Sequence, residues 1–278
     1  MIKVMLDAGH YGKYNQSPAF PQYYESDMTW KLCNLLAAEL EKYGIEVGKT
    51  RTEKETDIDV YYRGKKAKGY DMFISLHSNA TGRNVNDAVD RPVVYRLSRD
   101  TKSEAFAQSI ADEIAELMQT KQKGRTGTRV QENGTEYYGV LRGADAVNCP
   151  HAFIIEHSFH TATKPAMWLY DESNLYLLAV QEAKIIAEFF GIKGEDEMTN
   201  EEVNELINER IDKAIKDEIL KSGKTYHYYS ELPDYARDII TALHKKGVFA
   251  GNGAGDMNLS EDMMRMLVIL VNAGVLKV

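Results

Sequence analysis

Residues 2–10 read IKVMLDAGH, and the first two thirds of the chain can be arranged around this segment. A short aliphatic run that is stopped by small residues and glycine is typical of a buried strand ending in a sharp turn. His10 therefore follows the carboxyl end of a strand, which is where open α/β sheets bind their ligands. A histidine that only closes a turn would give the same pattern, so this segment alone leaves its role open.

The same pattern occurs twice more along the chain. Residues 71–80 read DMFISLHSNA, and residues 151–157 read HAFIIEH. In each case an apolar run ends on ionisable side chains, His77 in one and Glu156 in the other. Because parallel strands bring their carboxyl ends to one edge of a sheet, we expect His10, His77 and Glu156 to converge there.

Helical patterns alternate with these strands. Ser26–Tyr43, Ser103–Met118 and Leu175–Phe190 carry apolar residues at helical spacing, and shorter strands are predicted over 45–47 and 93–97. Ser26 is predicted to cap its helix, with Glu25 at the helix entrance. The alternation predicts an α/β fold with a mostly parallel twisted sheet and helices on both faces.

A domain boundary is predicted after Gly191. Residues 1–193 form the expected catalytic domain, 194–223 an acidic helical linker, and 224–278 a small, mainly α-helical domain. The stretch 195–221 holds ten acidic and four basic residues, and its apolar residues mark one side of a helix. That stripe is expected to pack against a partner helix or the tail.

Composition limits the classes of function. The 278 residues carry a net charge of −8, without the basic field expected of a nucleic-acid-binding protein. We find no apolar span of membrane length, so we expect no insertion into a membrane. We also find no signal-peptide pattern, so we expect the protein to be synthesised in the cytoplasm. Cys33 and Cys149 fit no zinc or redox spacing and are interpreted as reduced core residues. The alternative that one of them is the nucleophile of a Cys–His hydrolase has little support, because neither lies in an activating setting.

Four residues carry the candidate chemistry: His10, Glu25, His77 and Glu156. Two imidazoles and one carboxylate are a familiar catalytic zinc set that leaves a fourth position open, and a further carboxylate is then needed as general base. The compact H-E-x-x-H motif is absent, so each histidine on its own retains a purely structural alternative.

Taken in order, these segments resemble the zinc-dependent N-acetylmuramoyl-L-alanine amidases of the Amidase_3 type over roughly residues 1–190. The motifs are LDAGH at 6–10, Glu25 before a helix, Thr50-Arg51, ISLHSNA at 74–80 and IIE at 154–156. The resemblance implies that His10, Glu25 and His77 bind Zn²⁺ and that Glu156 is the catalytic acid/base. It also implies the substrate: the amide between N-acetylmuramic acid and L-alanine in peptidoglycan, cleaved by zinc-activated water.

One segment departs from that family. Glu156 is usually followed by a small residue, Gly-Phe and an Asn-bearing loop, whereas residues 157–161 here read HSFHT. His157 and His160 either touch substrate or are packed or solvent-facing histidines, and the second interpretation is favoured. Asn79 and Arg142 are the other predicted substrate-binding residues, with residues 138–142 at an edge of the site.

The tail resembles, more loosely, a single S-layer-homology-like module. It shares LPDYA at 232–236, GVF at 247–249 and GNG at 251–253, but LSED at 259–262 replaces the family's basic stretch. It is predicted to bind cell wall, and either this tail or the linker is predicted to mediate homo-oligomerisation. A small helical packing domain is the alternative.

The favoured hypothesis is a phage or prophage endolysin of a Gram-positive host, reaching the wall after release, for example through a holin. A host autolysin and a non-catalytic wall-binding protein on an amidase fold are the alternatives.

Overall fold

The computed structural model describes residues 1–192, 225–249, 257–272 and 276. Its centre is a sheet of six strands: β1 (Lys3–Ala8), β2 (Glu46–Lys49), β3 (Met72–Asn79), β4 (Val93–Arg96), β5 (Arg125–Gly127) and β6 (His151–Phe159). Their order across the sheet is β2-β1-β3-β6-β4-β5. Pairing is parallel except between β4 and β6, which are antiparallel.

Helices cover both faces of this sheet. They are α1 (Glu25–Lys42), α2 (Val60–Lys65), α3 (Glu104–Met118), α4 (Gly139–Ala146), α5 (Thr163–Tyr170) and α6 (Glu172–Phe189). Side chains of α1, α3, α5 and α6 form the larger core with alternate residues of β1, β3 and β6. The other face packs on α4, which in turn packs on α2. The predicted α/β fold is confirmed.

The three predicted apolar strands lie side by side in the middle of the sheet. β1 pairs with β3, and β3 pairs with β6, so all three carboxyl ends reach the same edge. The register sets His77 directly opposite Glu156, and a bulge follows between His77 and Asn79. Strand β6 begins at His151 as predicted and continues two residues beyond the predicted segment 151–157, to Phe159.

Local details also differ from the prediction. Ser26 is not the cap of α1: the helix begins at Glu25, with Tyr24 at the N-cap and no side-chain cap bond. The Ser26 hydroxyl instead donates to Gly12 O and accepts from Tyr14 N, both at 2.8 Å. Strand β5 and helices α4 and α5 were not predicted, since each is only three to eight residues long.

The chain divides into two compact units, residues 1–195 and 196–278. In the second unit, β7 (Thr225–Tyr226) pairs antiparallel with β8 (Leu259–Ser260), and helices α7 (Asp234–Lys245) and α8 (Glu261–Asn272) pack around a small apolar core. This agrees with the predicted helical C-terminal region. The predicted linker helix lies outside the described residues. Within the described ranges, no helix has the length and apolar character needed to cross a bilayer.

Candidate metal centre

Three separate elements bring His10, Glu25 and His77 together. His10 follows β1 with φ +58°, in the left-handed region that reverses the chain. Gly9 before it bonds to Leu76 O at 3.1 Å, and a Cβ at Gly9 would collide with the His77 ring. Only glycine lets β1 and β3 approach closely enough to place both imidazoles beside the start of α1.

Glu25 lies between the two imidazoles. Its Oε2 is 3.1 Å from His10 Nε2, and its Oε1 is 2.9 Å from His77 Nδ1 and accepts from Ser78 N at 2.9 Å. Only 1% of Glu25 is exposed. Burial favours the neutral acid, but the hydrogen bonds and charges of His10 and His77 prevail and hold the pKa of Glu25 well below its usual range. The carboxylate is therefore ionised and ready to act as a ligand.

The donor set fits a zinc ion. One ligand atom from each of the three residues lies within 4.8 Å of the others. Tetrahedral zinc with bonds near 2.0–2.1 Å requires ligand atoms roughly 3.3 Å apart. The His10–Glu25 pair, at 3.1 Å through Oε2, and the His77–Glu25 pair, at 2.9 Å through Oε1, are close to that spacing, each through a different oxygen of Glu25. Two imidazoles and one carboxylate leave a tetrahedral site with one position for water or substrate.

Glu156 lies beside these three residues but differs from Glu25 in its hydrogen bonding and its pKa. It faces His77 across the β3–β6 pair, and among the described residues its Oε2 is buried without a hydrogen-bond partner. Burial raises the pKa of Glu156 to about 7, although the neighbouring His77 opposes the shift. A carboxyl with a pKa near neutrality can both take up and release a proton under physiological conditions.

The side chains of Asn79 and Arg142 make their hydrogen bonds outside the metal-ligand cluster. Asn79 lies two residues after His77 in β3, and its Oδ1 accepts from Ala80 N at 2.8 Å. Arg142 in α4 donates to the carbonyls of Glu136 (2.8 Å) and Tyr137 (3.0 Å). The Arg142 contacts hold the loop before α4, so the predicted substrate role of either residue stays a prediction.

His157 and His160 are packed histidines. His157 is 0% exposed; its Nδ1 lies 2.9 Å from His77 O and its Nε2 2.8 Å from Glu182 Oε1. This burial agrees with the favoured interpretation of a packed histidine, and a substrate contact of His157 stays a prediction. His160 is 4% exposed and bonds through Nδ1 to Ser78 Oγ at 2.9 Å. Burial lowers the pKa of His160, which favours the neutral ring.

Sequence reasoning missed Asn15. Its Nδ2 donates to Glu25 Oε2 at 2.7 Å and lies 3.1 Å from His10 Nε2, so this amide contacts two of the three candidate ligands. Asn15 adopts φ +54°, a conformation that asparagine tolerates better than most residues. The residue lies in a polar, aromatic loop without periodicity, and nothing in the sequence distinguishes it from its neighbours.

Two buried arginines were also missed as supports of the site. Arg51 Nε and Arg63 donate to Ala8 O at 3.2 and 3.3 Å, just before the Gly9–His10 turn. Asp7, which is fully buried, accepts from Thr50 and Ser75 and lies 3.8 Å from Arg63. These contacts fix the backbone that carries His10.

Both cysteines are free and buried. Burial raises the pKa of Cys33 to about 12 and that of Cys149 to about 11. Each thiol stays protonated near neutral pH, which argues against the Cys–His hydrolase alternative.

Comparison with known proteins identifies the family. The profile of the N-acetylmuramoyl-L-alanine amidases, Amidase_3, matches residues 4–188, and the chain belongs to this family. It is thus a hydrolase of the amidase class that degrades bacterial peptidoglycan. No curated protein sequence matches the chain significantly.

Solved structures share the fold. The catalytic domain of CwlV, an amidase from Bacillus (Paenibacillus) polymyxa var. colistinus, is 24% identical with a TM-score of 0.57, covering 69% of this chain and 100% of its own. An amidase from Clostridium difficile 630 is 23% identical with a TM-score of 0.58, covering 69% and 98%. AmiC2 of Nostoc punctiforme is 21% identical with a TM-score of 0.56, covering 68% and 97%.

Proposed function

We propose that the chain is a zinc-dependent amidase that cleaves the bond between N-acetylmuramic acid and L-alanine in peptidoglycan. His10, Glu25 and His77 would hold the ion, and Glu156 would transfer the proton. The observation that carries this proposal is the pair of buried carboxyls flanking His77. The pKa of Glu25 is held well below its usual range, which suits a metal ligand. The pKa of Glu156 is raised to about 7, which suits a group that accepts and returns a proton.

Each residue then has a defined task in hydrolysis. Zinc bound by these three side chains would supply Lewis acidity, polarising the scissile carbonyl and lowering the pKa of water. Glu156 accepts the proton of the attacking water. It then returns that proton to the nitrogen of L-alanine, which leaves poorly as an amide anion but well as an amine. Arg51 and Arg63 keep the His10 turn in place, and Ser78 N orients Glu25.

The identity of the cleaved bond is tested on purified cell walls. The full chain should release new amino-terminal L-alanine and no new reducing sugar ends. Glu156→Gln should keep its zinc and its fold but lose turnover by roughly two to four powers of ten. New reducing ends, or new amino termini other than L-alanine, would refute the assigned bond. A Gln variant that digests walls at the parental rate would refute the role of Glu156.

The non-catalytic alternative, a wall-binding protein on an amidase fold, is disfavoured by the same residues. A protein that only binds wall polymer needs no proton-transferring carboxyl beside a set of metal ligands, yet Glu156 lies directly opposite His77 across the β3–β6 pair. The Glu156 geometry therefore supports an active enzyme.

We further propose an endolysin role: synthesis in the cytoplasm, release through a membrane pore such as a holin, and attack on a Gram-positive wall. This part rests on the resemblance alone. Residues 224–278 would act as an S-layer-homology-like module for wall attachment or self-association. Two lysis assays test this route. In the first, the purified protein is applied to walls from outside. In the second, the protein is expressed inside a host, with and without a holin. Lysis from inside without a holin would contradict it.

A further inference from the structure

Two exposed tyrosine rings extend outward from the candidate metal ligands. The Tyr14 ring stacks on the His10 imidazole with centroids 5.0 Å apart and planes inclined by 17°. The Tyr11 ring follows at 6.1 Å from Tyr14 with a 24° inclination. The three rings therefore form a nearly parallel series that begins at His10.

These rings are exposed although their backbone is fixed. Tyr14 is 50% and Tyr11 37% exposed, whereas Tyr23 of the same loop is 1% exposed. Tyr14 N donates to Ser26 Oγ, Ser26 N donates to Tyr14 O, and Gly12 N donates to Lys54 O. The loop is thus tied to α1 on one side and to the segment after β2 on the other. Rigid presentation of a large aromatic ring to solvent lowers the entropy lost when a ligand binds.

We propose that Tyr14 and Tyr11 form a binding platform for the sugar rings of the glycan strand. The inference deepens the proposed function and rests on it. An aromatic face carries negative charge density, and the axial C–H groups of a pyranose ring present weakly positive hydrogens to it. The lactyl group that carries the scissile carbonyl is joined to a muramic acid ring through an ether oxygen, so the carbonyl lies only a few bonds from the sugar. A substrate whose carbonyl lies at the metal ligands therefore has a sugar within reach of Tyr14, and the next sugar within reach of Tyr11.

The stem peptide is the competing occupant, and the charges around the platform disfavour it. Stem peptides carry carboxylates, which call for free cations. Lys54 is paired with Asp27 at 2.5 Å, and Lys13 lies over the Tyr24 ring at 5.5 Å. The Glu55 carboxylate lies against Gly12, between the two tyrosines in sequence. A neutral sugar avoids repulsion by this carboxylate, so the glycan is the better match.

The test measures binding separately from cleavage. The full chain carrying Glu156→Gln is titrated by calorimetry with a soluble N-acetylglucosamine tetramer and, in parallel, with the peptide L-Ala-D-Glu-L-Lys. Adding Tyr14→Ala or Tyr11→Ala should raise the Kd for the tetramer roughly three- to tenfold each. Tyr14→Phe, which keeps the ring, should bind as the parent does. Tyr62→Ala is the matched control, because Tyr62 is 60% exposed on α2 and its ring contacts Tyr61 and Lys65.

The outcomes separate the platform from the amidase assignment. An unchanged tetramer Kd in both alanine variants overturns the platform, and so does failure of the parent to bind the tetramer. Loss of peptide binding instead of tetramer binding assigns the rings to the stem peptide and also overturns it. Zinc content of Tyr14→Ala checks that the ligands are undisturbed, and Tyr11→Ala repeats the test one ring further away. Walls left uncleaved by the wild type would refute the amidase proposal while leaving a tyrosine-dependent tetramer affinity intact.

Discussion

Glu25 and Glu156 show how one site gives two carboxyls opposite behaviour. Both are close to His77, yet Glu25 also receives hydrogen bonds from His10 and from Ser78 N, whereas Glu156 has a buried oxygen without one. Favourable hydrogen bonds outweigh burial at Glu25, and burial outweighs the charge of His77 at Glu156. The protein thereby provides one permanent anion and one group that can exchange a proton.

The raised pKa of Glu156 predicts a pH-dependent stability. Its value is about 7 in the fold against a usual 4.5, so the folded chain holds this proton more tightly than the unfolded chain does. The resulting stabilisation is complete below pH 4.5 and is lost as the pH rises through 7. In metal-free protein, the unfolding free energy of the wild type should fall by about 1–3 kcal/mol relative to Glu156→Gln between pH 5 and pH 8. Urea unfolding measures this, and a difference that stays constant with pH would contradict the account.

Ser158 carries a second residue-level prediction. It is fully buried with φ +127°, a region that favours glycine, and its hydroxyl donates to Asp90 Oδ1 at 3.0 Å. Ser158→Ala and Ser158→Gly both lose that hydrogen bond. The difference between their free energies of unfolding therefore reports the cost of the backbone conformation. We expect the Gly variant to be more stable than the Ala variant by about 1–3 kcal/mol. At an ordinary strand position alanine is the more stable of the two, and that order in thermal or urea unfolding would refute the strain.

At the level of elements, the β3–β6 pair forms the site and the α2–α4 pair supports the sheet behind it. A Cβ at Gly64 in α2 would collide with Val140 O, and one at Gly143 in α4 would collide with Tyr61 O. Each helix therefore presents a glycine to the backbone of the other. This close contact keeps Arg63 of α2 within reach of Ala8 O.

Gly64→Ala and Gly143→Ala should each destabilise the fold by about 1–3 kcal/mol, because the added methyl group forces the helices apart. Gly127→Ala in β5 is the control, since a Cβ there meets open space. Thermal unfolding of the three variants checks the prediction. Equal stability of Gly64→Ala and Gly127→Ala would show that the two helices do not rely on this contact.

How much of the structure could be predicted from the sequence differs from element to element. The buried strands around Leu6, Ile74 and Ile155 carry continuous apolar runs, and such runs place His10, His77 and Glu156 at one sheet edge. The bulge beyond Glu156, the contacts of Asn15 and the arginine support of Ala8 arise from tertiary packing, which leaves no periodic signal. Strand β5 has three residues, too few for any pattern.

At the scale of the whole molecule, the question is which function each of the two compact units has. Both cores of the first unit are built from its own residues, ending at Ile192. The stretch 195–221 carries most of the negative charge, which should keep it away from acidic wall polymers. A tail that associates with itself would raise avidity by presenting a second module at high effective concentration.

Residues 1–193 alone should therefore fold and cleave a soluble substrate at the parental rate, while losing wall retention, self-association or both. Sedimentation of the full chain and of the truncation, together with pull-down on cell walls, distinguishes the two roles. A truncation that fails to fold contradicts the division, and one that changes neither property removes any role for the tail.

The zinc content of purified protein tests the central claim most directly. The three candidate ligands come from separate elements, and removal of any one leaves a site with two ligands that should bind weakly. Elemental analysis should find about one zinc per wild-type chain and far less in His10→Ala, Glu25→Ala and His77→Ala. His151→Ala, which removes a histidine of β6 paired with Asp100, should keep its zinc. Wild-type zinc levels in all three ligand variants, with or without loss of zinc in His151→Ala, would contradict the account.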